Sequence, residues 1–215
     1  AASGYAAVWA EDNTRESILA ALKRREVYAT SGPRIGLRFF AGDGYAQDIL
    51  DSASLYQQAV AGGVPKGGEL VGAREKSPEF LVLAVSDAIG ANLDRIQIVI
   101  GWLDQQGNTH ERVYDAAWSG GRVIDAAGKL PAVGNTVDAG SASYENSIGA
   151  PALSVRWEDP DFDPQQSAFY YVRVLEIPTP RHSLYDAVAL GQGGAEGHPD
   201  SIQERAYSSP IWYRP

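Results

Sequence analysis

The strongest constraint on the fold is a stretch of alternating residues, 95–103, that runs directly into a turn and a second strand-like stretch. Ile96, Ile98 and Ile100 share one face of an extended chain, because successive side chains of a β-strand point to opposite sides. Residues 104–108, Asp-Gln-Gln-Gly-Asn, have the composition of a hairpin loop. The pattern predicts two antiparallel strands with a short connection.

Much of the chain beyond residue 78 has the same character. Short strand-like runs recur between turn signals, and we predict strands at 80–86, 95–103, 109–116, 152–157, 168–175 and 210–213. A stretch rich in Gly, Ala and Ser, 125–146, is predicted to be a long loop. Strands at this spacing indicate a mainly β chain, with an antiparallel β-sandwich over residues 78–215.

The N-terminal segment carries the clearest helix signal. Asn13 is a suitable N-cap, and Glu16 follows three residues later, as in a capping box. Within the predicted helix, 14–25, three apolar side chains share one face: Ile18, Leu19 and Leu22. Strand-like composition follows at 26–30 and 35–40.

Between these two parts lies a region rich in Gly, Ala, Asp and Gln. We interpret residues 43–77 as a linker region with a possible short helix at 48–60. The predicted organisation is therefore an N-terminal helix-and-strand segment, 1–42, the linker, and a β-sandwich domain, 78–215.

Charge and composition exclude several classes of partner and site. The chain has 18 Lys and Arg against 27 Asp and Glu, a net charge of −9, so it lacks the basic surface that binds nucleic acid. No apolar run approaches the roughly 20 residues that span a bilayer, so no membrane partner is expected.

The absence of cysteine excludes thiol chemistry and fits both an exported and a cytosolic protein; of the two we favour a periplasmic or secreted one. The chain also lacks methionine, and we expect it to be a processed or truncated product.

Histidine and aspartate side chains are the candidate metal ligands of this chain. Three scattered histidines make a self-contained transition-metal site unlikely to form, because such a site needs several converging ligands. Asp159, Asp161 and Asp163 form an acidic loop of the kind that binds hard cations, but the loop lacks the glycine and spacing of an EF-hand. We favour a solvated acidic turn, and we predict neither a metal site nor a catalytic residue within this chain.

Two segments are candidates for substrate binding. Arg181 and His182 follow two prolines that stiffen the backbone, so this loop could present both side chains to a site; the alternative is a turn whose arginine pairs with a carboxylate. Tyr28 and Thr30 fall on one face of a predicted strand, and Arg34 follows the next turn as a candidate anion contact. The alternative there is ordinary strand packing with a salt-bridged arginine.

Several long blocks, in order along nearly the whole chain, resemble the family of proteins with domain of unknown function 3604 (DUF3604). They are GYAAVWA (4–10), NTRE (13–16), ALKRREVYATSGPRI (21–35), GVPKGGEL (63–70), WEDPDFD (157–163), the run 169–181, and QERAYSSPIWY (203–213). Two positions depart from the expected pattern: Lys66 stands where an apolar residue is expected, and His182 where an aromatic is expected.

The resemblance implies a relationship to the PHP superfamily (polymerase and histidinol phosphatase), whose members are metal-dependent phosphoesterases built on a (β/α) barrel. Their metal ligands would precede Tyr5, so the resemblance implies that residues 1–42 are a barrel remnant and that the rest is an appended β domain. A divalent metal is then expected in the full-length parent and not in this chain.

Two functions follow as hypotheses. The leading one is the C-terminal part of a PHP-like metal-dependent hydrolase of unknown substrate, in which a missing N-terminal portion or a second copy covers the Ile18, Leu19 and Leu22 stripe. The alternative is a non-catalytic β-sandwich module that binds a ligand, a glycan or a protein, for which 5 tryptophans and 11 tyrosines provide contact surface. Two or three coplanar aromatic rings on one open sheet face would favour the binding module, and buried rings would favour a structural role.

Overall fold

The computed structural model describes residues 4–194 and 196–215. Its strands are β1 (Tyr5–Val8), β2 (Val27–Thr30), β3 (Gly36–Gly42), β4 (Gly63–Pro65), β5 (Glu69–Val71), β6 (Glu79–Val85), β7 (Leu93–Leu103), β8 (Thr109–Trp118), β9 (Ala152–Glu158), β10 (Ala168–Glu176), β11 (Thr179–Pro180), β12 (Ser201–Ile202), β13 (Arg205–Ser208) and β14 (Ile211–Arg214). Its helices are α1 (Arg15–Lys23), α2 (Leu55–Gly62) and α3 (His182–Ala189), with a 3-10 turn at Ile49–Asp51.

Strand β10 organises the larger sheet. On one side it pairs along its whole length with β7, which forms the predicted hairpin with β8. On the other side its first half pairs with β14 and its second half with β13. The sheet continues from β13 through β2 to β1, all antiparallel, and from β14 to β5, which is a parallel pair. The expectation of a mainly β chain with antiparallel sheets is confirmed, and neither sheet closes into a barrel among the residues that the structure describes.

The smaller sheet has the order β4-β3-β6-β9 and shares one hydrophobic cluster with the larger sheet. Phe39 and Phe80, from its two central strands, are fully buried and stack with their ring centroids 6.0 Å apart. The Phe80 ring lies 4.5 Å from that of Tyr170 on β10. Burial of apolar area at about 25 cal/mol per Å² makes this shared cluster the main source of stability.

The opposite face of the smaller sheet is covered by the region predicted to be a linker. Phe40 and Leu81 project from that face and pack with Tyr45, Ile49 and Ala59, which come from the 3-10 turn, from α2 and from the chain before them. The Tyr45 hydroxyl donates to the Ala59 carbonyl oxygen at 3.0 Å. Residues 43–77 therefore contribute a second, smaller core.

Strands from the predicted N-terminal segment take part in both sheets. β2 pairs with β13 near the C-terminus, and β3 pairs over seven positions with β6. The division into 1–42, 43–77 and 78–215 stays a prediction, but the pairings mean that the first segment and the last share hydrogen-bonded sheets and one core.

Two local expectations are corrected. The N-cap of α1 is Thr14, not Asn13: Thr14 is extended (φ −119°, ψ 157°) and its Oγ1 accepts the Ser17 N–H at 3.3 Å. The stiff loop predicted around His182 is the start of α3, because Leu184 and Ala187, three residues apart, are both buried on one helical face. Among residues 4–194 and 196–215, no helix is long and apolar enough to cross a bilayer.

Candidate functional site

A cavity of about 300 Å³, here called the aspartate cleft, opens where the loop between β9 and β10 passes over the end of β7, β8 and β10. Its walls are Ile100, Trp102, Arg112, Tyr114, Asp159, Asp161, Asp163, Gln166, Ala168 and Tyr170. The cleft therefore receives all three aspartates of the predicted acidic loop and four aromatic or cationic side chains from the adjoining strands. Its volume is at the lower end of the range typical of small-molecule sites.

Asp159 fixes the loop to the sheet. One carboxylate oxygen accepts the Tyr170 hydroxyl at 2.9 Å, and the other accepts the Asp161 backbone N–H at 3.0 Å. Its own backbone N–H donates to the Ser77 hydroxyl at 2.9 Å. Burial raises the pKa of Asp159. Burial, and then the negative charge of Asp159, raise the pKa of Tyr170. The pair therefore keeps a hydrogen-bonded polar floor beneath the cleft.

Asp161 lies at the mouth of the cleft and is solvent-exposed. It accepts hydrogen bonds from the Tyr114 hydroxyl and from the Arg112 guanidinium, and the Tyr114 bond, followed by the Arg112 charge, lowers the pKa of Asp161. Asp163 accepts the Gln165 backbone N–H at 2.9 Å. These carboxylates already accept protein donors, and no group of three His, Cys, Asp or Glu side chains placed to hold a metal ion occurs in the described ranges 4–194 and 196–215.

Aromatic side chains give the cleft its apolar walls. The Trp102 ring stacks on His110, its cross-strand neighbour, at a centroid distance of 5.3 Å and an interplanar angle of 17°. Tyr114 packs at 5.3 Å against Trp157. Trp102 also borders a second cavity, of about 800 Å³, whose wall includes Trp212. Trp102 thus lines both cavities, and Trp212 lines only the second.

The outer face of the larger sheet carries a second group of aromatic side chains. Phe169 and Tyr171 alternate with the core residues of β10, and their rings lie 6.4 Å apart with only 13° between their planes. Phe169 lies over Gly101, where a Cβ would come within 2.3 Å of the ring, and contacts Trp212 at 5.3 Å. Phe169 and Tyr171 are half-buried and Trp212 is exposed.

The predicted residues Tyr28 and Thr30 lie on the inward side of β2, away from the aspartate cleft. Tyr28 packs on the shared hydrophobic cluster and stacks with Trp9 at 6.3 Å. Thr30 is 6% exposed, and its hydroxyl has no hydrogen-bond partner within the described part of the chain. Both side chains take part in strand packing, and their role in substrate binding stays a prediction.

Arg34, Arg181 and His182 lie on another side of the molecule. The Arg34 backbone N–H donates to Asp87 at 2.8 Å, while its guanidinium stands 5.9 Å from the Tyr5 ring centroid. His182 lines a groove that also contains Pro33, the residue before Arg34. The structure thus brings the Ser31–Pro33 turn and the start of α3 together.

The sequence predicts the acidic loop but not the other residues that line the aspartate cleft. One signal was present, because Trp102 continues the even-numbered face of Ile96, Ile98 and Ile100 beyond the core. Arg112 and Tyr114 gave no such signal, since their position beside Asp161 depends on a contact 47 to 49 residues away along the chain.

Comparison with known proteins identifies one family. A family described as "Protein of unknown function (DUF3604)" matches residues 1–215. Searches of curated proteins and of solved structures found no match. The match covers the whole chain and agrees with the ordered blocks recognised in the sequence, and the chain therefore belongs to the DUF3604 family.

Proposed function

We propose that this chain is a ligand-binding β unit and that its aspartate cleft binds a polyhydroxylated ligand, a short glycan. The observation that carries the proposal is that one cavity combines the Trp102 and Tyr114 rings with hydrogen-bonding side chains of Arg112, Asp163 and Gln166. Aromatic faces pack against the C–H faces of sugar rings, while carboxylates, amides and guanidinium groups match the hydroxyls.

The proposal predicts that Trp102→Ala weakens glycan binding by about tenfold or more, because the variant loses the stacking wall of the cleft. Binding of soluble cello-, xylo- and malto-oligosaccharides would be measured by isothermal titration calorimetry, with folding checked by circular dichroism. Trp118→Ala is the matched control, since Trp118 lies at the opposite end of the β7–β8 hairpin, where its indole N–H donates to the Arg122 carbonyl at 2.7 Å.

Equal losses in the two tryptophan variants would contradict the assignment of the cleft. Absence of binding to every oligosaccharide by the folded wild-type chain would contradict the glycan itself. A loss confined to a Trp212→Ala variant would move the site to the neighbouring cavity.

We also propose that the two sheets form the β-sandwich of a larger PHP-like metal-dependent hydrolase, with α1 and its flanking strands derived from the barrel. The ordered sequence blocks support this proposal, and it requires a cover for the surface of α1. Leu19 and Leu22 are each 49% exposed, although they belong to the apolar stripe of the helix. A missing barrel portion or a second copy would cover such a stripe.

This second proposal places the divalent metal and its ligands in the full-length parent. It predicts metal-dependent hydrolysis of a phosphoester such as p-nitrophenyl phosphate by the parent and none by the 215-residue chain. Metal-dependent turnover by the purified chain would contradict it. A chain that is monomeric in light scattering and keeps the α1 stripe open to solvent in hydrogen exchange would count against the barrel remnant.

A further inference from the structure

Glu176, the last residue of β10, is a buried carboxyl group without a partner. Its side chain is 1% exposed, and within residues 4–194 and 196–215 its Oε1 atom has no hydrogen-bond partner. The backbone around it is well satisfied, because its N–H donates to the Glu204 carbonyl at 2.9 Å and its carbonyl accepts the Gln203 side chain at 2.8 Å. The unmet requirement therefore belongs to the carboxyl group alone, and such a group is costly to bury.

Glu176 lines a surface groove of about 260 Å³, here called the Glu176 groove. Gly90 also lines this groove, and a Cβ on Gly90 would lie 3.6 Å from Oε1 of Glu176. The other walls include Glu204, the rings of Tyr144 and Tyr185, and His182 at the start of α3. Glu176 thus contributes to the wall of the groove, and its unpartnered oxygen lies just beneath that wall, beside Gly90.

The two charged side chains that act most on Glu176 are both carboxylates. Glu204 and Asp87 both act on Glu176, and burial together with these two carboxylates raises the pKa of Glu176 to about 8. Each neighbour has its own donors: Glu204 accepts the Ser31 hydroxyl, and Asp87 accepts the backbone N–H groups of Arg34 and Ile89. Within the described part of the chain, neither Glu176 nor Glu204 forms an ion pair with a Lys, Arg or His side chain.

We propose that the Glu176 groove binds a small organic cation through a primary ammonium or guanidinium group, with Glu176 as its buried counter-ion. A cation supplies the donor that Oε1 lacks and offsets the mutual repulsion of the three carboxylates. The Tyr144 and Tyr185 rings add the electron-rich aromatic surface that favours organic cations. This site is separate from the aspartate cleft and does not depend on the glycan proposal.

The test is calorimetric titration of the 215-residue chain with 1,4-diaminobutane and with agmatine at pH 8.5 and low ionic strength. We expect Glu176→Gln to weaken binding by about tenfold or more, since the amide keeps the shape of the side chain and removes its charge. Glu75→Gln, the same change at an exposed loop position, should leave affinity within about twofold. Glu204→Gln serves as a second groove variant and should weaken binding several-fold.

A pH series separates a counter-ion from a merely structural residue. The ionisable side chains that line the groove or act on Glu176 are Glu176, Glu204, Asp87, His182, Tyr144 and Tyr185, and the Arg34 charge acts on Asp87. Because the Glu176 proton must leave before the cation binds, affinity should rise roughly tenfold per pH unit below about 8 and level off above it. The Glu176→Gln variant should lose this slope, and a His182→Asn variant should keep it.

Four outcomes would overturn the proposal. They are no binding of either amine by the folded wild-type chain, equal losses in the Glu75→Gln control, a pH slope that survives in Glu176→Gln, and displacement of the amine by calcium at equal concentration. The last result would assign the groove to a metal cation. If Glu176→Gln does not fold, the Glu204→Gln variant and the wild-type pH slope carry the test.

Discussion

Lys66 is only 2% exposed although its side chain ends in an ammonium group. Its Nζ donates to the Leu37 carbonyl at 3.1 Å and lies 5.3 Å and 5.8 Å from the ring centroids of Tyr28 and Trp9. Burial and then the nearby Arg38 charge lower the pKa of Lys66 to about 7, against the opposing effect of Glu26. The aromatic faces therefore offset only part of the cost of burying this charge.

The free-energy cost of burying the Lys66 amine falls as pH rises. Below about pH 7 the amine is charged in both the folded and the unfolded chain, so the folded state bears the full penalty. Between about 7 and 10.5 the folded chain releases the proton and the unfolded chain keeps it, so stability gains as pH rises. We predict that Lys66→Met stabilises the chain by about 2 kcal/mol at pH 7, and by less as pH approaches 10. Leu37 would still accept the Trp9 indole N–H at 2.8 Å.

Urea unfolding at pH 6.5, 8 and 9.5 measures the difference between variant and wild type. Lys76→Met removes an exposed lysine and should change the free energy of unfolding by less than about 0.5 kcal/mol at every pH. A Lys66→Met variant that is less stable than wild type at pH 7, or whose advantage is constant with pH, would contradict the buried-charge account. The sequence marked Lys66 as a departure from its family, but only the fold reveals that it is buried.

Among the secondary-structure elements, those with a local signal were predicted well. The β7–β8 hairpin was predicted from the period of two and a polar five-residue loop, and α1 from its apolar stripe. The missed elements depend on distant partners. β13 has only four residues and is held between β10 and β2, and α3 follows a proline-rich stretch that reads as a loop. These elements form because of contacts with residues that are distant in the sequence. A local sequence pattern does not reveal such contacts.

The same division applies to the candidate site. The acidic loop could be found from its composition, because three aspartates recur at alternate positions. The cleft could not, since Arg112 and Tyr114 reach Asp161 only after β8 joins the larger sheet beside β7. The sequence predicts that Asp161 is a solvated turn residue. In the structure it is exposed, but it also accepts hydrogen bonds from two side chains of β8.

At the scale of the whole molecule, one tight turn joins three distant parts of the chain. Gly67 has a φ of +87°, and its N–H donates to the Pro210 carbonyl at 2.9 Å. A Cβ at this position would lie 2.4 Å from the Arg25 carbonyl oxygen. The turn therefore presses the middle region against both the end of α1 and the last strand, and it needs glycine for its backbone conformation and for the close approach.

We predict that Gly67→Ala destabilises the whole chain by more than about 2 kcal/mol, because strain at positive φ is added to a clash with backbone. Gly107→Ala is the matched control: its φ is +81° in the β7–β8 loop, but a Cβ there meets open space, so about 1 kcal/mol is expected. Thermal unfolding would be followed by far-UV circular dichroism and by tryptophan fluorescence. Because β2 and β3 pair with β13 and β6, both signals should shift together in Gly67→Ala. Two separate transitions, with only one displaced by the substitution, would instead support independent domains joined by a linker at residues 43–77.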